Sequence, residues 1–227
     1  MRFPISHLLV GGARLLGDTG ALSAIDKKPV DGPLFLGREG FVSDAQADRR
    51  HHGGPDKAVH HYSSAHYAVW RREIGNRPVL DAPGAFGENL SAPDLDESRV
   101  AVGDRFRLGH ALIEVSQGRQ PCWKLNHRFG QPDMARLVQK TGRTGWYYRV
   151  LEEGRVEPGD DLILVDRPSP DWTIRRLWHL FYVTPLDRGE LSAMLTLTHL
   201  PESWRALARR RLETLAVEDW SPRLDGR

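Results

Sequence analysis

Cys122 is the only cysteine in 227 residues. It stands in Arg119-Gln120-Pro121-Cys122-Trp123-Lys124, between two cations and directly after a strand-like alternation of apolar and polar residues. Nearby cations favour the thiolate, the form of a cysteine that attacks electrophiles or ligates a metal. The competing reading is a small buried hydrophobe, the usual fate of a free cysteine. The polar, turn-forming neighbours favour chemistry. A single thiol cannot form an intramolecular disulfide, so the sequence gives no sign of an oxidising compartment.

A second concentration of reactive side chains lies in Arg49-Arg50-His51-His52-Gly53-Gly54-Pro55-Asp56-Lys57-Ala58-Val59-His60-His61-Tyr62, which holds four of the ten histidines. Gly53-Gly54-Pro55 makes a sharp loop whose backbone N–H groups can approach a ligand closely. His52, Asp56 and Lys57 offer a proton donor, an acceptor and an anion anchor. Two arguments stand against a zinc site. Adjacent residues on a strand face opposite ways, so each His-His pair supplies at most one ligand to one ion. No Cys-x-x-Cys or His-Glu-x-x-His spacing is present. Solvent-facing side chains remain the plain alternative for His51 and His61. A third, weaker element is Phe86-Gly87-Glu88-Asn89-Leu90, where the Asn89 amide can orient a ligand oxygen or simply form a turn.

These groups need a scaffold, and the sequence predicts a mainly β one. From Gly11 to about Asp166 short strand-like runs alternate with Gly, Pro and Asp. Val100–Leu108 and Ala111–Val115, joined by Gly109-His110, read as a tight hairpin. Trp146–Leu151 and Asp161–Val165 read as two more strands. Many short strands with frequent turns predict a β-barrel, interrupted by helices over Ser64–Ile74 and Asp133–Lys140. After Asp166 the texture becomes helical, with Trp172–Tyr182, Asp187–Leu197 and Pro201–Leu215 as three segments bearing apolar stripes. The expected organisation is a barrel domain over 1–166 and a three-helix appendage over 167–227, packed on the barrel because it is too small to hold its own core. Apolar residues at 40% are enough to fill such a core.

Four segments in order resemble the MOSC domain proteins, and more closely the bacterial YiiM-type members. They are His52-Gly53-Gly54-Pro55-Asp56-Lys57-Ala58-Val59, Phe86-Gly87-Glu88-Asn89-Leu90, Val102-Gly103-Asp104-Arg105-Phe106 and Ser116-Gln117-Gly118-Arg119-Gln120-Pro121-Cys122-Trp123-Lys124-Leu125. With the helical C-terminal part, the likeness spans nearly the whole chain. It implies a MOSC-type barrel (PK β-barrel-like) that binds the molybdenum–molybdopterin cofactor and reduces N-hydroxylated compounds such as 6-hydroxylaminopurine to amines. By the same resemblance Cys122 is the metal ligand. Arg119, Asn89, Lys57, Gly53 and Gly54 are candidates for binding the cofactor, and His52 and Asp56 for delivering protons. A soft thiolate suits such a metal, and Arg119 can neutralise a phosphate.

Two other readings follow from the residues. Cys122 with a histidine base would make a cofactor-free cysteine hydrolase. Arg205, Arg209, Arg210 and Arg211, with Trp204 and Trp220, would make a basic face for nucleic acid or for an acidic partner. A formal net charge of +2 and the following Glu213, Glu218 and Asp219 argue against nucleic acid. A reductase needs electrons, and with no flavin, haem or iron–sulfur motif in this chain the expected donor is a separate flavoprotein. The N-terminus lacks the features of a signal peptide, and no run approaches the roughly 18 apolar residues of a membrane span. The expected location is the cytoplasm.

Overall fold

The computed structural model describes residues 1–45 and 53–226. Fourteen strands are described: β1 (Arg2–Pro4), β2 (His7–Val10), β3 (Arg14–Leu15), β4 (Leu22–Ser23), β5 (Lys28–Pro29), β6 (Leu34–Gly37), β7 (Gly40–Phe41), β8 (Val59–His61), β9 (Leu90–Ser91), β10 (Arg105–Leu108), β11 (Ala111–Gly118), β12 (Trp146–Glu152), β13 (Gly154–Val156) and β14 (Asp161–Asp166). Nine of them form one mixed sheet in the order β1-β14-β10-β11-β12-β8-β9-β2-β5. The chain itself curls this sheet. β1 and β2 lie far apart in the strand order, yet only Ile5 and Ser6 separate them in sequence. Two residues span about 7 Å at most, so the two ends of the sheet must approach each other. The result is an open barrel, mainly β, as the sequence predicts.

The interior follows from period-two alternation. Phe106 and Leu108 on β10, Ile113 and Val115 on β11, and Trp146, Tyr148 and Val150 on β12 all turn inward. The predicted hairpin forms with a two-residue turn, Leu108 opposite Ala111 and Gly109 at φ +54°. Its first strand starts at Arg105 and not at Val100. Gly103 takes φ +83°, and the Asp104 carboxylate accepts from the Ala101 N–H at 2.9 Å, so Val100–Asp104 is turn.

Seven α-helices are described: α1 (Ala65–Ile74), α2 (Lys124–Phe129), α3 (Met134–Thr141), α4 (Ile174–Tyr182), α5 (Arg188–Met194), α6 (Glu202–Thr214) and α7 (Ser221–Asp225). The sequence reading omits α2 and α7, whose six and five residues are too short for a helical period to register. Thr173 and Asp187 cap α4 and α5 by accepting from Arg176 N and Glu190 N at 3.1 and 3.0 Å. Ile174, Leu177, Phe181 and Trp204 share one continuous core with the barrel residues Phe106 and Val115. A second, smaller core joins Tyr62, Trp70, Phe86 and Phe129 between α1 and α2. Among the described residues no helix is long and apolar enough to cross a membrane.

Candidate active site

One half-enclosed cavity of about 100 Å³ collects the reactive side chains. Its position follows from register. On the adjacent strands β11, β12 and β8, Gln117 lies opposite Tyr147 and Tyr147 opposite His60, while Gly118, Trp146 and His61 form the next row. Alternation sends the two rows to opposite faces. The His60 and Tyr147 rings, 5.0 Å apart, face the cavity. His61 goes into the core, stacked 4.2 Å from Trp146, with Nδ1 3.2 Å from the Tyr148 hydroxyl. Gly145 lets this region close up: it takes φ +72°, and a side chain there would run into the His61 carbonyl. His61 is therefore fully buried, which corrects the solvent-facing alternative.

Beyond β11 the chain turns through Pro121 and places Cys122 on the cavity wall just before α2. Cys122 is 6% exposed. Among the described residues, four cations, Lys27, Lys57, Arg119 and Lys124, and one carboxylate, Asp44, line the same cavity. Lys27 is paired to Asp44, and Lys124 Nζ donates to the Leu22 carbonyl at 3.1 Å. Arg119 is buried, and its Nη1 has no hydrogen-bond partner. His60 Nε2 is likewise buried and unpartnered. A desolvated guanidinium nitrogen without an acceptor is costly, so the cavity is built for an anion.

Burial, reinforced by the neighbouring Arg119 charge, holds His60 well below the ordinary histidine range. It is neutral at physiological pH. Burial also raises the Tyr147 phenol, which keeps its proton. Lys27 is lowered by burial, with Asp44 opposing.

The residues singled out from sequence divide. Cys122, Arg119, Asn89 and Lys57 border the cavity. The Asn89 amide, however, is committed to the fold: Oδ1 accepts from His60 N at 3.0 Å, and Nδ2 donates to Leu9 O at 3.1 Å and Asp44 Oδ2 at 2.8 Å. Asn89 thus positions β8 and Asp44 and has no donor left to orient a ligand. Asp56 is a second correction. Its carboxylate lies outside the cavity lining and pairs with Arg149 at 2.7 Å, a guanidinium it shares with Glu114. The reason is geometric: Pro55–Lys57 is a 3-10 turn, whose successive side chains point about a third of a turn apart, so Lys57 reaches the cavity and Asp56 does not. Gly53 and Gly54 also lie off the lining. Gly54 takes φ +93° and starts the turn that delivers Lys57. His51 and His52 lie outside the described residues.

Sequence reasoning missed Lys27, Asp44 and Tyr147. Lys27 and Asp44 carry no local motif. Tyr147 had a usable signal, because it alternates with Trp146 and Tyr148 and is the position that pairs with His60. Trp123 and Tyr62 do not line the cavity. Trp123 packs beside Gly226, and Tyr62 stacks on Phe86 at 3.9 Å and accepts from Trp70 Nε1 at 2.6 Å. Much of the basic stretch of α6 is engaged within the chain. Arg211 is buried and bonds Glu218 at 2.6 Å, Arg205 and Arg209 pair with Glu202, and Trp204 sits 4.5 Å from Phe181 in the core.

Comparison with known proteins adds to this geometry. Residues 48–163 match the model of the MOSC domain, and residues 172–215 match that of the YiiM-like, 3-alpha helix domain. Protein YiiM of Escherichia coli is 42% identical over 228 residues, covering 100% of both chains. The crystal structure of YiiM from Escherichia coli superposes with a TM-score of 0.83 at 37% identity, covering 99% of this chain and 98% of that one. A protein of Gibberella moniliformis named reductase is 42% identical over 153 residues, which are 67% of this chain and 27% of that protein.

Proposed function

The chain belongs to the MOSC domain family and to its YiiM-type members, and from that premise we propose that it is a molybdenum cofactor-dependent reductase of N-hydroxylated compounds. Membership of this family, with a reductase-named relative, supports a molybdenum cofactor-type oxidoreductase. The observation that carries the finer reading is the Cys122 sulfur on a cavity that, among the described residues, has four cations, one carboxylate and an unpartnered Arg119 nitrogen. A group with a soft metal and a phosphate fits this donor set. Cys122 would ligate the metal, and Arg119, Lys57 and Lys124 would hold the anionic part. Bound there, the molybdenum–molybdopterin group supplies the two electrons of the reaction.

Reduction of R–NHOH to R–NH2 takes two electrons and two protons and releases the oxygen as water. The chain must therefore supply protons at the cavity. Tyr147, whose phenol burial keeps protonated, and the Lys27 ammonium are two donors that border it. They take the role first read for Asp56. His60 enters neutral, and its ring borders the cavity as a proton acceptor or hydrogen-bond partner. Part of the wall, including Phe86, Ile25 and Ala58, is apolar and suits a flat base. Electrons come from a separate protein, by this reading a flavoprotein. The arginines of α6 are a poor landing site for it, since three of the four are engaged within the chain.

The test is molybdenum and pterin content of protein made in a host that synthesises the cofactor, followed by conversion of 6-hydroxylaminopurine to adenine with a chemical reductant. Stoichiometric metal and adenine formation are expected. Metal-free protein with hydrolase activity dependent on Cys122 would overturn the reading, as would loaded protein that leaves N-hydroxylated bases unchanged.

A further inference from the structure

The Cys122 turn is held from outside the barrel. Arg223, on α7, brackets the cysteine on both sides: its guanidinium Nη1 donates to the Pro121 carbonyl, and its backbone carbonyl accepts from the Trp123 N–H at 2.8 Å. The same side chain donates through Nη2 to Gln139 Oε1 at 2.6 Å and lies 5.9 Å from the Tyr182 ring centroid. Neighbouring contacts repeat the pattern. Asn126 Nδ2 donates to the Leu224 carbonyl at 3.0 Å, and Arg136 Nε and Nη2 bind the two oxygens of Asp225 at 3.1 and 2.6 Å. Gly226, at φ +74°, lies flat on the Trp123 indole, where an added Cβ would come within 2.9 Å of the ring.

We propose that Arg223 is a positioning residue that fixes the Cys122 sulfur on the cavity wall, and that α7 is a latch on this turn. Pro121, Cys122 and Trp123 lie between strand and helix, where no ladder satisfies their backbone groups; without the Arg223 guanidinium the Pro121 carbonyl loses this partner, and the Trp123 N–H keeps its own only while the α7 backbone stays in place. Bonding both to one residue removes the rotation that would swing the thiol away. The segment 221–226 lies beyond both matched regions, which end at residues 163 and 215. The role holds whatever Cys122 binds and does not rest on the proposed activity.

The test uses the full chain, in which Cys122 is the sole thiol, and reads the rate of its alkylation by iodoacetamide. Arg223→Met keeps an aliphatic stem but removes the donors, and its alkylation is expected to be about tenfold faster, the ratio that loss of one charge-assisted hydrogen bond gives. Arg223→Lys restores a cation to the Pro121 carbonyl and is expected to stay close to the wild-type rate, which a loss of bulk packing alone would not produce. Met and Lys variants that react alike, with folding retained, would overturn the proposal. A separate measurement covers a Met variant that does not fold: in the wild-type protein the Trp123 amide should exchange as slowly as the Arg119 amide, which is bonded to the Gly145 carbonyl at 3.0 Å. Rapid exchange at Trp123 alone would remove the latch.

Discussion

His60 and His61 are consecutive, lie on one strand, and are both buried, at 4% and 0% exposure. Their surroundings differ. His61 is closed in by Trp146 and Tyr148, and burial takes its imidazole down to about 3. His60 borders a cavity, beside Tyr147 and an arginine charge, with Nε2 buried and unpartnered. Residue type and depth are the same; only the facing row of β12 differs. A buried histidine is thus a core ring or a site residue according to strand register, and one step of slip would exchange the two roles.

This contrast gives experiments that separate the faces. The largest effect is expected on the cavity side, from Cys122→Ala. It should lower reductase turnover and molybdenum content by more than about 100-fold, since loss of even an outer partner of a metal ligand costs roughly 10- to 100-fold. Its unfolding midpoint should stay near wild type; full turnover would exclude the ligand role. On the core side, His61→Ala should do the reverse. Truncating a large buried ring costs about 3 kcal/mol, which in a chain of this size lowers Tm by roughly 6–12 °C in a calorimetric scan. His60→Ala should cost less stability, because a wet cavity can fill the space with water, and should instead reduce cofactor retention.

Acid sharpens the comparison. His61 titrates from 6.5 in the unfolded chain to about 3 in the fold, so between those values the unfolded state binds the extra proton. Its contribution is fully present above pH 6.5 and is lost as pH falls, at about 1.4 kcal/mol per unit. Denaturant midpoints compared at pH 7 and 5 should show this loss, and His61→Phe should reduce it, leaving the part that belongs to His60, which burial also holds low. The smallest effect belongs to Asp56→Asn. Its carboxylate is 40% exposed in the pair with Arg149, so the loss should be about 1 kcal/mol or less, with turnover unchanged. A large loss of turnover would return Asp56 to the proton-delivery role.

The errors and successes of sequence reasoning have one source. Cys122 and Arg119 were legible because they sit three residues apart in one chemically unusual turn. The strand runs on either side of Gly109 were legible because period-two alternation is local. Tyr147 was hidden by its position in an aromatic run that reads as core. Lys27 and Asp44 were hidden because they meet only when segments 17 residues apart fold over the same cavity. Asp56 was misplaced because a motif gives proximity along the chain, and a 3-10 turn then separates neighbours in direction.

The sequence by itself determined the class of the fold, the family, and the single thiol set in a cationic turn, since these depend on residue type, order and local period. The tertiary structure alone decided which histidine faces the cavity, which cations converge on it, and that α7 holds the Cys122 turn. Those outcomes depend on register and on contacts across up to about a hundred residues, such as Arg223 with Pro121, and no local spacing encodes them.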